Sequence, residues 1–96
     1  MRKYEIMFIV KPDLEETAIK QIANDMKSVL ESNKAKVLEL KEMGQRDLAY
    51  EINKYKTGYY FLFTIETEEL KATKEFERLS LINENILRHL IVRIED

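Results

Sequence analysis

Apolar residues recur at two spacings along the chain, every second residue in some segments and every third or fourth in others. The first spacing is typical of strands and the second of helices. The pattern predicts strands over residues 2–10, 36–43, 59–66 and 86–94, helices over residues 14–33 and 68–81, and a loop over about residues 44–58. Asp13 and Glu16 have the spacing of a capping box, which would begin the first helix.

The predicted order of elements, βαββαβ, is that of two split βαβ units. Right-handed crossovers would place both helices on one face of a four-stranded antiparallel sheet, which is the α+β ferredoxin-like sandwich. In this topology the first and third strands are central, which agrees with their apolar segments IMFIV and YYFLF. The second strand contains Glu39, Lys41 and Glu42, and such charges are typical of a sheet edge. We expect one domain over residues 1–96.

The open face of the predicted sheet, on the side away from the helices, has few polar residues. Antiparallel sheets of this kind normally have one apolar and one polar face. In the first strand, however, Met7 and Ile9 alternate with Ile6 and Phe8, and the third and fourth strands are similar. A large apolar patch indicates an interaction surface, whereas scattered exposed apolar residues would need no partner. The residues predicted to contact a protein partner are Met7, Ile9, Tyr50, Tyr60, Leu62, Leu90 and Val92.

Composition limits the function classes that remain. A hydrophobic fraction of 45% describes a globular protein, and the sequence has no apolar run near the roughly 20 residues of a membrane span. Glu5 interrupts the positive start, so no secretory signal is expected, and the absence of cysteine is typical of cytosolic proteins. The net charge of −2 argues against unaided, phosphate-driven binding of nucleic acid, so that role would need local basic patches or a basic partner.

Catalytic and metal-binding patterns are weak in this sequence. His89 is the one histidine and lies within a predicted strand, without a cysteine or acid beside it. The paired acids at 15–16 and 68–69 fall at helix starts, where acids are favoured for helix stability alone. Two glycines cannot build a phosphate-binding loop, and the serines on the predicted helices have no neighbouring base. We therefore predict no enzymatic activity, no metal site and no cofactor.

Basic residues with aromatics between them predict contacts with RNA, because bases can pair with phosphates and aromatics can stack on unpaired nucleotides. The predicted contacts are Arg2, Lys3, Tyr4, Arg46, Lys54, Lys56, Arg88 and Arg93. One alternative is an independent single-stranded RNA binder of the RNA-recognition-motif type, which would need Tyr59 and Phe61 on the open face. Another is a small regulatory domain that binds a metabolite between subunits, although the sequence has no glycine-rich ligand loop.

Three stretches resemble one family along the whole chain: MRKYEIMFIVKPDL, GQRDLAYEINKYKTGYYFLF and NENILRHLIVRIE. They are similar to the bacterial small-subunit ribosomal protein S6 family, whose characteristic motifs correspond here to residues 1–5, 12–14, 44–50 and 58–59. The resemblance implies a ferredoxin-like fold and a non-catalytic role in the ribosome. It also implies that the chain pairs with the small basic ribosomal protein S18 and that the pair binds the central domain of the small-subunit ribosomal RNA. A basic partner would reconcile the acidic net charge with an RNA particle.

The same resemblance assigns individual residues and shows three departures. Matched to the family motifs, the basic positions are Arg2, Lys3, Arg46, Arg88 and Arg93, and the open side of the third strand carries Tyr60 and Leu62. Asp47 stands where many members have a second basic residue, and Glu51 replaces a proline that is common there. The sequence also stops at Asp96, without the C-terminal tail that many members have. We therefore expect the segment around Arg46 to assist RNA binding without dominating it.

Overall fold

A computed structural model describes residues 2–95 and confirms the predicted α+β ferredoxin-like sandwich. The four strands form one antiparallel sheet in the order β2-β3-β1-β4, so that the two most apolar strands are central, as predicted. Neither helix within this part of the chain is long and apolar enough to cross a membrane. The elements are β1 (Arg2–Val10), α1 (Glu16–Ser32), β2 (Lys36–Ile52), β3 (Tyr55–Thr67), α2 (Lys71–Ile82) and β4 (Ile86–Glu95).

The core lies between the sheet and the two helices and is built around phenylalanine. Phe8 at the centre of β1 stacks on Phe61 and Phe63 of β3, with ring centroids 5.1 and 5.5 Å apart. Phe76 of α2 meets the Phe8 ring edge-on at 5.7 Å. Because side chains alternate across a strand, this packing sets the direction of every other residue of β1 and β3. The residues between these phenylalanines therefore point to the open face.

The segment 44–58, which the sequence pattern predicts to be a loop, is instead the outer part of a long β2–β3 hairpin. Ile52 pairs with Tyr55, and the two residues between them, Asn53 and Lys54, have φ of 48° and 70°. Positive φ at both positions is the property of the two-residue turns that fit the right-handed twist of a hairpin. The chain therefore reverses within two residues, and both strands extend well beyond their predicted limits.

The capping box predicted at Asp13 and Glu16 does not form. Helix α1 begins after Glu15, and no side chain caps its first turn by a hydrogen bond. The Asp13 carboxylate instead accepts a hydrogen bond from the hydroxyl of Tyr55, 2.9 Å away in the hairpin. A hydrogen bond between residues 42 positions apart has thus taken the place of the predicted capping box. Sequence rules for helix starts contain no information about so distant a partner.

Candidate docking face and RNA-contact residues

The open face of the sheet carries a continuous apolar row that crosses three strands. Met7 at the middle of β1 lies directly opposite Leu62 on β3 and Leu90 on β4. Met7 and Leu62 are half-buried, whereas Leu90 is 52% exposed. Directly opposed side chains on one face of an antiparallel pair lie about 5 Å apart, so these three residues adjoin one another. The exposed apolar residues of this face are thus contiguous and not scattered.

The cross-strand row next to the apolar row is acidic. Glu5 pairs with Thr64 on β3, and Thr64 pairs in turn with Glu39 on β2. On its other side Glu5 lies opposite Val92, which is 43% exposed. The apolar row, extended by Val92, therefore has carboxylates beside it, and this arrangement fits a partner with apolar and basic side chains.

The opposite end of the open face is covered by the hairpin arm, residues 46–58 of the β2–β3 hairpin. The pairing of β1 with β3 ends at Val10 and Tyr59, and the arm continues beyond this point. Between Asp47 and Ile52, β2 has four residues against one in β3, a bulge of the kind that increases the bend and twist of a ribbon. A groove of about 180 Å³ lies beneath the arm, lined by Met7, Ile9, Leu48, Ala49, Tyr50, Ile52, Tyr60 and Arg88.

Ile9, predicted to contact a partner, is only 4% exposed because the arm covers it. A side chain at Gly58, where β3 enters the arm, would place its first carbon 2.4 Å from the Cγ2 atom of Ile9 and 3.7 Å from Leu48. Gly58 thus permits the arm to lie close to the sheet. Ile9 therefore lies in the groove beneath the arm and exposes almost no surface to a protein partner.

Arg88 of β4 and Tyr50 of the arm make contact across the open face. The Arg88 guanidinium lies over the Tyr50 ring, with 5.1 Å from Cζ to the ring centroid, and its Nη1 donates a hydrogen bond to the Tyr50 hydroxyl. These residues come from the two edge strands, on opposite sides of the sheet. The contact therefore requires the arm to bend back over the sheet, and it engages the very guanidinium that was predicted to contact RNA.

A second long-range contact holds the other strand of the arm. The hydrogen bond from the Tyr55 hydroxyl to Asp13 Oδ2 ties the start of β3 to the segment between β1 and α1, where Lys11 Nζ also lies 4.0 Å from the carboxylate. Donation to Asp13 raises the pKa of the Tyr55 hydroxyl above its ordinary range, with smaller contributions from burial and from the carboxylate charge. The arm is thus attached through both of its strands.

The predicted RNA contacts separate into two groups at opposite ends of the sheet. Arg2 and Lys3 begin β1, and Arg93 is near the end of β4, which is the same end of the sheet. Arg46, Lys54 and Lys56 lie in the arm and are exposed. The six-residue distance from Lys3 to Ile9 along β1 corresponds to roughly 20 Å at about 3.3 Å per residue. A single RNA segment would need to cross the sheet to meet both groups.

Tyr4 requires a correction, because it is 6% exposed and belongs to the hydrophobic core. It has the same orientation in β1 as Ile6 and Phe8, so its ring points to the helices and cannot stack on a nucleotide. The RNA-recognition-motif alternative fails for the same reason. Phe61 is 2% exposed in the core, and Tyr59 packs against that core, so neither ring is available on the open face.

Leu48 and Ile52 contribute to the groove but were not predicted as site residues. Their apolar character within a polar segment was the available signal, and it could not indicate which surface they cover. His89, which pairs with Phe8 and is half-buried, is a sheet residue as predicted. Within residues 2–95, no group of three His, Cys, Asp or Glu side chains could hold a metal ion.

A known protein family and a solved crystal structure both match this chain. The family profile described as ribosomal protein S6 matches residues 3–93. This chain belongs to the ribosomal protein S6 family. It is also similar to the crystal structure of 30S ribosomal protein S6 from Thermotoga maritima, with a TM-score of 0.92 and 29% identity over 97% of this chain and 87% of that chain. The family is a structural component of the small ribosomal subunit and serves translation, which confirms the resemblance seen in the sequence.

The S6 family motifs coincide with positions that shape the hairpin. Gly44 has φ of 80° at a bulge between β2 and β3, a conformation that glycine adopts with least strain. Gly58 provides the close approach to Ile9. Asp47 and Glu51, two of the three departures from the family pattern described above, are both exposed on the arm. With three basic and two acidic residues, the arm has a formal charge of +1, which limits its attraction for phosphate.

Proposed function

We propose that this S6 family member binds the central domain of the small-subunit ribosomal RNA as a heterodimer with the basic ribosomal protein S18, in the cytoplasm. The observation that carries the proposal is the apolar row of Leu62, Met7 and Leu90 on the open face. That residues 1–96 form a single domain stays a prediction. Family membership supports the ribosomal role, and the open face supports a protein partner.

The physical argument for a protein partner is the cost of leaving this row in water. Full burial of one large apolar side chain contributes on the order of 1.5–3 kcal/mol. Leu90 and Val92 are about half exposed, so each can contribute only part of that value. Several such side chains are needed to offset the loss of translational and rotational freedom on association. The row, Val92 and the exposed ring of Tyr50 together provide that set.

The physical argument for a basic partner is the charge of this chain. The net charge is −2, and Glu5 and Glu39 lie beside the apolar row. Carboxylates at this rim favour a partner with lysine or arginine at its own rim. Such a partner would also supply positive charge for the phosphates, which the hairpin arm with its formal charge of +1 supplies only weakly.

Partner dependence of RNA binding tests the proposal directly. The dissociation constant for a central-domain ribosomal RNA fragment is measured for this protein alone, for S18 alone and for the two proteins together. We expect weak binding by this protein alone and a gain in affinity of at least about tenfold with S18 present. Equal affinity with and without S18 would contradict the heterodimer.

A substitution on the open face tests where the partner binds. Val92→Lys places a charge beside the apolar row, and Leu81→Lys places the same charge on α2, where Leu81 is 72% exposed in the helix layer. We expect Val92→Lys to weaken S18 binding by about 30-fold or more, because the lost apolar contact and the burial of an unpaired ammonium group together cost about 2 kcal/mol or more. Leu81→Lys should leave it unchanged. Equal effects of the two variants, with unfolding curves like wild type, would place the interface elsewhere.

A further inference from the structure

We propose that the contact between Tyr50 and Arg88, here called the clasp, holds the hairpin arm over the open face and thereby couples the protein partner to RNA binding. The proposal rests on the proposed function for its second half, since coupling needs two ligands. Its first half concerns the free protein alone. Arg88 is in this view a positioning residue and not primarily a ligand for phosphate.

The geometry of the clasp supports a positioning role. Both interactions of Arg88 with Tyr50, the cation–π contact at 5.1 Å and the hydrogen bond to the hydroxyl, use the guanidinium group. A guanidinium spreads its charge over a planar group with five N–H donors, so one nitrogen can donate a hydrogen bond while the group as a whole contacts the ring. The clasp joins residues 38 positions apart on the two opposite edges of the sheet. Few other arrangements of the arm would bring them together.

The arm needs such contacts in order to stay in place. Beyond Val10 and Tyr59 it is a two-stranded ribbon, and isolated two-stranded hairpins are marginally stable in water. The bulge between Asp47 and Ile52 further interrupts its ladder of hydrogen bonds. Tyr55 on one strand and Tyr50 on the other connect it to Asp13 and Arg88. Loss of either contact should therefore increase opening of the arm.

The clasp joins the two proposed binding regions. On one side, Tyr50 is 58% exposed and lines the groove together with Met7 and Tyr60, so a partner seated on the open face also contacts the closed arm. On the other side, the arm carries the exposed bases Arg46, Lys54 and Lys56. A partner that binds the closed arm more tightly than the open arm shifts the population towards closure. The bases then meet RNA from a single arrangement, with less loss of conformational freedom on binding.

The first measurement is amide hydrogen exchange by NMR in the free protein. We expect Tyr50→Ala and Arg88→Gln each to accelerate exchange of arm amides by about tenfold, the effect of one exposed cation–π contact with its hydrogen bond. Amides of β1 should keep their wild-type rates. Arg93→Gln, which removes the same charge from β4 outside the clasp, is the matched control and should leave the arm unchanged. Wild-type exchange in the arm of both clasp variants would overturn the proposal.

The second measurement is a double-mutant cycle on RNA affinity, with S18 at saturating concentration so that altered partner affinity is masked. A positioning role predicts that Tyr50→Ala weakens RNA binding about as much as Arg88→Gln. It also predicts that the double variant binds no worse than either single variant, because all three variants lack the same Tyr50–Arg88 contact. A direct contact of Arg88 with phosphate predicts instead that Arg88→Gln weakens RNA binding whereas Tyr50→Ala binds RNA like wild type, and that result would overturn the coupling. If S18 gives wild-type protein no gain in RNA affinity, the proposed function fails, whereas the exchange experiment still decides the clasp.

Discussion

Replacing Gly58 with alanine adds a methyl group at the point where the hairpin arm leaves the sheet. The new carbon would lie 2.4 Å from Ile9 Cγ2 and 3.4 Å from the Val10 carbonyl oxygen. Carbon atoms in contact lie about 3.5–4.0 Å apart, so Ile9 or the arm must move by roughly 1 Å or more. Ile9 is 4% exposed and is a short branched side chain, so it has little room to move.

The expected cost follows from two opposing effects. Overpacking a close-packed site costs typically about 1–3 kcal/mol. Alanine in place of glycine also reduces the conformational freedom of the unfolded chain, which contributes about 0.4–1 kcal/mol in the opposite direction. The net loss in the free energy of unfolding should be about 1–2 kcal/mol, read from the midpoint of urea unfolding followed by circular dichroism. For a domain of this size, each 1 kcal/mol corresponds to a fall in Tm of about 4–8 °C.

A second substitution tests whether contact with Ile9 is the cause. Ile9→Leu keeps the side-chain volume but has no methyl on Cβ, so the atom that the new group meets is removed. In this background Gly58→Ala should cost less than in the wild-type background, by about 1 kcal/mol or more of coupling. The same cost in both backgrounds would refute the steric explanation and would point to the backbone of the arm instead.

Two further predictions concern the hairpin. Gly44→Ala should lower the free energy of unfolding by about 1–2 kcal/mol, measured by urea unfolding. Nothing lies within 4 Å of the added carbon, so the loss would come from backbone strain at φ of 80° and not from a clash. Gly44→Asn should recover part of this loss, since asparagine tolerates the left-handed region. Tyr55→Phe should be less stable than wild type at neutral pH because it lacks the hydrogen bond to Asp13. The folded-state pKa of Tyr55 lies above its unfolded value of about 10, so this difference is present below that pH and should shrink as pH rises through the folded pKa. A difference that persists in strong alkali would mean that the contact does not depend on the phenol proton.

The apolar open face was predictable because its signal is local. Met7, Leu62, Leu90 and Val92 belong to strands with apolar residues of both orientations, so an apolar open face was expected whichever set packed on the helices. Which set does so is decided by the phenylalanine cluster around Phe8. That packing removes Tyr4, Tyr59 and Phe61 from the open face together, since side-chain direction along a strand has a period of two.

The hairpin arm was not predictable from periodicity. Its bulges interrupt the alternation of apolar and polar residues, and its turn uses Asn53 and Lys54 in place of the Asn-Gly pair that most strongly indicates such a turn. Both contacts that hold it, Tyr50 with Arg88 and Tyr55 with Asp13, join residues about 40 positions apart. No local pattern contains information about such distant pairs. For this reason the sequence predicted Ile9 as a partner contact and Arg88 as an RNA contact, but it did not predict that the arm buries Ile9 or that Tyr50 contacts Arg88.

The sequence alone therefore determined the order of elements, the ferredoxin-like class, the central strands and the family, because these follow from residue spacing and from short motifs. Only the tertiary structure decided how the arm folds back over the sheet. The folded arm covers Ile9 and brings Tyr50 against Arg88, and the basic residues lie in two separate groups. The physical reason is that spacing along one strand sets only the direction of its side chains. The position of one strand over another depends on bulges, on a close approach at Gly58 and on contacts between distant residues.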